Sequence, residues 1–246
     1  MKDTKYLLHE LSWQDISKID KDKTIIILPI GSTEQHGPQN PIGTDFLIAE
    51  HIAHKTAERS DLAYCLPTIP IGVASHHRNF PGTLWVSHEV LEEYVTEVLN
   101  SLHYHGFDKV IIINGHGGNT SSISNAVSYC NDVLEMTCIH FEWWQDSSLI
   151  ESIFDGQSCG HADAVETSVI FAAKPDLVQT DKFDSLTSAS KWGREIGGMY
   201  LSSRTDQFTS SGIAGSLEGI SQEKGQKLLE MTISILEQAI KEISKS

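Results

Sequence analysis

Three short segments hold residue types able to do chemistry: Glu34-Gln35-His36 with Asp45 after it, His116 inside NGHGGN, and HADAVETS from His161 to Ser168. In extended backbone alternate side chains share a face, so Glu34 and His36 are expected to point into one site while Gln35 points out. Asp45 follows a loop bounded by proline and glycine and falls at the N-terminus of a predicted helix. There it could serve as a capping carboxylate, and Glu34 and His36 could be solvated loop residues. His116 follows an apolar run directly, in a turn where Gly115, Gly117 and Gly118 allow a ligand to approach closely. Thr120 stands where a dinucleotide-binding fingerprint needs its third glycine. The turn could bind an anion through free N–H groups, but an imidazole on a strand end suits Zn²⁺ or Mn²⁺. Asp163-x-x-Glu166 has the spacing of a capping box, so a cap role and a ligand role are both open to Glu166.

Alternating β-branched runs and amphipathic stretches must position these residues. TIIILPI (24–30) and KVIIING (109–115) read as buried strands ending at glycine turns, and MTCIHFEW (136–143) as a third strand. The stretch 62–72 is extended but broken by Pro67 and Pro70, which suits an edge. Apolar spacing predicts helices over 45–59, 88–105, 120–134, 161–175 and 221–243. Residues 176–219, rich in Ser, Gly and Thr, carry no clear period and are expected to hold short strands or loops. Phe141, Trp143 and Trp144 follow a strand end and could wall a pocket or fill the core. The pattern predicts one three-layer α/β/α domain over 1–246 around a mostly parallel sheet, with ligands beyond the carboxyl ends of the strands. Both polar glycine segments fall at such ends.

Composition narrows the function. With 18 Lys+Arg against 33 Asp+Glu, the formal charge of -15 argues against a nucleic-acid partner. No apolar run approaches the ~20 residues needed to span a bilayer, and MKDTKYLLHELSW lacks the basic-then-apolar order of a signal peptide. Cys65, Cys130, Cys138 and Cys159 form no CxxC pair, so free thiols in a reducing cytoplasm are expected.

Taken in order, GSTEQHGP, GTD, HHRNFPGT (76–83), NGHGGN and HADAVETS resemble the creatininase family of metal-dependent amidohydrolases. The resemblance spans residues 10–243. It implies a two-metal centre with Glu34, His36, Asp45, His116 and Glu166 as ligands, Asp45 bridging, and His161 shuttling a proton beside the substrate. Zn²⁺ is the first expectation for both divalent ions, with Mn²⁺ and Fe²⁺ next. The implied partners are a small-molecule amide substrate and further copies of the chain in a homo-oligomer, often a hexamer in that family.

The creatinine hydrolases of that family carry a Tyr and a metal-ligating Glu where this chain has Gly117 and Gly118, and a Trp-Asp pair where it has Gln157 and Ser158. Creatinine is therefore not the expected substrate. The resemblance leaves three reactions: opening a cyclic amide, removing a formyl group from a formylamino-pyrimidine nucleotide, or trimming a small peptide. For a nucleotide, Arg78 or the glycine turn could contact the phosphate. A non-catalytic metal or small-ligand binder is the reading from a different class.

Overall fold

The computed structural model describes residues 5–245. The apolar runs form four strands, β1 (Ile25–Ile30), β2 (Ala63–Cys65), β3 (Lys109–Asn114) and β4 (Thr137–Glu142), in the order β2-β1-β3-β4 with every pairing parallel. A strand covered on both faces has no reason to alternate polar and apolar residues, and β1 is buried at every position. Its side chains divide by parity. Ile25 and Ile27 of β1, with Ile111 and Ile113 of β3, enter one core, while Ile26, Leu28, Val110 and Ile112 enter the other.

Short α1 (Trp13–Ile16), capped by Ser12, precedes the sheet. Helices α2 (Thr44–Arg59), α5 (Ser147–Ile153), α6 (Ala164–Ala173) and α7 (Gln222–Ile243) cover the first face, and α3 (His88–Tyr104) and α4 (Thr120–Val133) the second. This is the expected three-layer α/β/α architecture. No helix among the described residues is long and apolar enough to cross a membrane.

Three local differences from the sequence reading have physical causes, while residues 176–219 hold the short elements expected of them. Two prolines without N–H groups shorten the 62–72 strand to β2, after which Ile69 alone bridges to Ile30. The helix expected over 161–175 begins only at Ala164, because Ala162 takes a φ of 52° and Asp163 caps the helix behind it. Helix α5 is too short to show a period and starts where Asp146 accepts from Leu149 N–H. Residues 176–219 hold 3₁₀ turns and an antiparallel hairpin, β5 (Arg194–Ile196) with β6 (Met199–Leu201), separate from the main sheet.

Candidate metal centre

The carboxyl ends of β1 and β3 meet the first turn of α2, and two glycines let them do so. A Cβ on Gly31 would lie 2.3 Å from Phe46 N, and one on Gly115 would lie 2.3 Å from Asp45 O. Side chains there would push the helix away, and Asp45 with it. Asn119 fastens the surrounding loops: its Oδ1 accepts from Val73 N–H at 2.9 Å, and its Nδ2 donates to Gly31 O at 3.0 Å. Asp45 is the second residue of α2 and makes no side-chain cap. It points into the cleft.

Glu34, His36, Asp45, His116 and Glu166 are brought together and are each at most 8% exposed. His36 Nδ1–H donates to Glu34 O at 3.2 Å, which leaves Nε2 presenting a lone pair to Asp45 Oδ1 at 2.8 Å and Glu166 Oε2 at 3.6 Å. His116 Nε2–H donates to Val73 O at 3.0 Å, so Nδ1 presents its lone pair to Asp45 Oδ2 at 3.1 Å. Backbone carbonyls thus select the tautomers, as they do for metal-bound imidazoles. Glu34 Oε2 accepts from Ser32 Oγ at 2.9 Å and lies 3.2 Å from His116 Nε2. His36 Nε2, Asp45 Oδ2 and Glu34 Oε1 are buried without any hydrogen-bond partner. Electron pairs that face one another across about 3 Å in a dry site call for cations between them. Two of the donor sets formed here, Glu34–Asp45–His116 and His36–Asp45–Glu166, share Asp45, and a further one joins Glu34 and His36 to His161.

The titration behaviour points the same way. Burial pulls His36 down, but the Asp45 carboxylate and then Glu166 and Glu34 override it and lift its pKa to about 10. His116 loses to burial and gains from Glu34 and Asp45, ending at about 9. Burial would raise Glu34, yet His116 and His77 hold it well below the usual carboxylate range. Glu166 is pushed up to about 8, first by burial and then by Asp45 and Asp163, against the pull of His36. In the absence of an ion, the centre recruits protons instead.

Glu166 combines the two roles left open by its sequence. Asp163 Oδ1 accepts from Val165 and Glu166 N–H at 3.0 and 3.1 Å, and Glu166 Oε2 accepts from Ala162 N–H at 2.5 Å while facing His36. His161 lies on the cavity side, its Nδ1 3.8 Å from Glu34 Oε1 and 4.0 Å from Glu166 Oε2. Burial and then the neighbouring His77 and His36 hold its pKa well below the ordinary value, so the imidazole is neutral.

Gln35 does not face solvent as the strand alternation suggested. It is buried behind the centre, where Nε2 lies 2.7 Å from His161 Nε2, 2.8 Å from His77 Nδ1 and 3.0 Å from Gly212 O. Folding a loop from 212 over this side converts an outward position into an internal one.

The centre opens into a cavity of ≈ 860 Å³ lined by His76, His77, Gly117, Gly118, Trp144 and Trp192 among others. Trp192, which no sequence period singles out, sets its ring edge-on to His76, His77 and His161 at 5.5–5.7 Å. Phe141 and Trp143 belong to the core, whereas Trp144 borders the cavity. Gln157 and Ser158 line it as well. Arg78 does not: its guanidinium donates to Ser75 O from an exposed position.

The family model for creatininase (creatinine amidohydrolase) matches residues 9–240. Creatinine amidohydrolase of Pseudomonas putida is 24% identical over 252 residues, covering 95% of each chain. Mycofactocin precursor peptide peptidase of Mycolicibacterium smegmatis is 31% identical over 163 residues, or 64% of this chain and 61% of that protein. A solved creatininase structure described as its Mn form superposes with a TM-score of 0.84 at 23% identity, covering 97% of this chain and 98% of that one. With nearly the whole chain matched, by sequence and by fold, the protein belongs to the creatininase family.

Proposed function

We propose that this protein is a metal-dependent amidohydrolase that cleaves a carbon–nitrogen bond of a small amide, with Glu34, His36, Asp45, His116 and Glu166 holding two divalent ions. The reading rests on the buried, unpartnered His36 Nε2 and Asp45 Oδ2, which belong to donor sets joined through Asp45 at a strand-end cleft. Divalent ions in those sets supply Lewis acidity toward a carbonyl oxygen and acidify water toward neutral pH. Zn²⁺ is the first ion to test, then Mn²⁺ and Fe²⁺.

The chain's own residues do the rest. Asp45 joins the two donor sets, one oxygen toward His36 and the other toward His116. His161 Nε2 lies 3.1 Å from the Gln35 backbone carbonyl oxygen, which accepts its hydrogen and leaves the Nδ1 lone pair toward the centre. From there a neutral His161 is positioned to accept a proton from the attacking water on Nδ1 and pass it to the departing nitrogen. Trp192 and Trp144 wall the cavity and restrict water.

A peptide-derived substrate is the second reading, favoured by a cavity larger than a single small ring requires and by a rim carrying Ser158, Ser190, Ser202, Ser203 and Ser216. A nucleotide is less well served, because the lining's one lysine or arginine, Lys191, is engaged by Glu195 at 2.6 Å. Unpaired cysteines support a cytoplasmic setting, and exposed Ile196, Met199 and Tyr200 on the hairpin support burial against another copy in a homo-oligomer such as a hexamer. The test is turnover of small amides, cyclic amides, formamides and short peptides by Zn²⁺- or Mn²⁺-loaded protein, with and without chelator. Chelator-sensitive hydrolysis is expected, and a rate indifferent to chelator would refute the reading.

A further inference from the structure

The arrangement that leaves His36 Nε2 and His116 Nδ1 facing carboxylates recurs on the other side of Glu34. The Thr205 hydroxyl donates to His76 O at 3.2 Å, so in its 2.9 Å contact with His77 Nδ1 the imidazole N–H donates and the hydroxyl oxygen accepts. Gln35 Nε2 lies 2.8 Å from the same Nδ1 and 3.0 Å from Gly212 O, and neither contact involves His77 Nε2. His77 Nε2 therefore turns a lone pair toward Glu34 Oε1 at 3.2 Å, and that oxygen is buried with no hydrogen-bond partner.

His76 completes the group. Its ring sits 4.3 Å from that of His77 and stacks on that of His116 at 5.6 Å. One donor atom each from Glu34, His76 and His77 lie within 4.8 Å of one another. Both histidines border the cavity, and Asp45 is not part of this set.

We propose that Glu34, His76 and His77 form a further metal site, on the cavity side of Glu34, that takes a Zn²⁺-class ion. Two imidazoles and one carboxylate with open positions suit Zn²⁺, whereas Mn²⁺ favours oxygen-rich sets. Glu34 then links this ion to the Asp45 centre through its second oxygen. The site does not depend on the Asp45 centre being catalytic.

The experiment compares chelated protein reloaded by dialysis with Zn²⁺ or with Mn²⁺, for wild type, His76→Ala and His77→Ala, by elemental analysis and by anomalous diffraction at the zinc edge. Zinc-loaded wild type should hold one ion more than the manganese-loaded protein, with an anomalous peak between Glu34 Oε1 and His77 Nε2. His76→Ala, at a half-buried position that folding tolerates better than His77→Ala, should weaken that ion by at least about tenfold while the ions at Asp45 stay. Equal Zn²⁺ and Mn²⁺ content, a zinc peak confined to the Asp45 sets, or a further ion unaffected by His76→Ala would overturn the proposal. Zinc at His76 and His77 with none at Asp45 would support this site and refute the two-ion reading above.

Discussion

The cleft has two walls built in different ways. One is the strand-end wall, where Glu34, His36, Asp45 and His116 hang from β1, β3 and the first turn of α2. The other comes from residues 176–219, which bring Trp192, Thr205 and Gly212 over the same centre on a 3₁₀ turn and irregular loops. The first wall is fixed by the sheet and by close backbone approaches at Gly31 and Gly115. The second is fixed by side-chain contacts such as Thr205 with His77 and Gln35 with Gly212. The difference teaches a division of labour: the rigid wall holds charge, and the irregular wall shapes what enters.

Substitutions can break that division. The largest effect is expected at Asp45, which serves both donor sets. Asp45→Asn should empty both and reduce turnover to background, and full ion content by elemental analysis would contradict this. Glu166→Gln comes next. The amide cannot supply the charge, so the ion of the His36 set should be lost with most activity, whereas a mere cap would cost only about 0.5–2 kcal/mol of stability and leave ions in place. His161→Ala removes the proposed proton shuttle and none of the five proposed ligands. Its kcat should fall by about 10²–10⁴ with both ions retained, and a variant that loses metal would move His161 into the ligand set. Trp192→Ala probes the irregular wall, with KM expected to rise about tenfold while kcat and ion content hold. If Trp192→Ala stripped the ions, the two walls would not be separable.

The strand-end wall was largely legible in the sequence. Continuous β-branched runs announce buried strands, a glycine after each marks its end, and Glu34, His36, Asp45 and His116 stand within reach of those ends. The irregular wall was not legible. Trp192 and Thr205 sit in a segment without period, and their place depends on where the chain folds back, which no local pattern encodes. Gln35 shows the limit most clearly. Strand alternation directs it away from Glu34 and His36, but only the overlying loop at Gly212 decides that this direction is interior. His77 lay in a segment that matched the family, yet its contact with Glu34 follows from a 3₁₀ turn that the sequence does not signal.

The most direct test is calorimetric titration of Mn²⁺ into chelated protein at pH 7, repeated in buffers of different ionisation enthalpy. His36 and His116, raised to about 10 and about 9, both carry protons at that pH when no ion is bound. Ions that take their lone pairs must displace those protons, so binding should come with net proton release. An absence of Mn²⁺ binding, or binding that releases no protons, would contradict a centre built from these imidazoles and carboxylates.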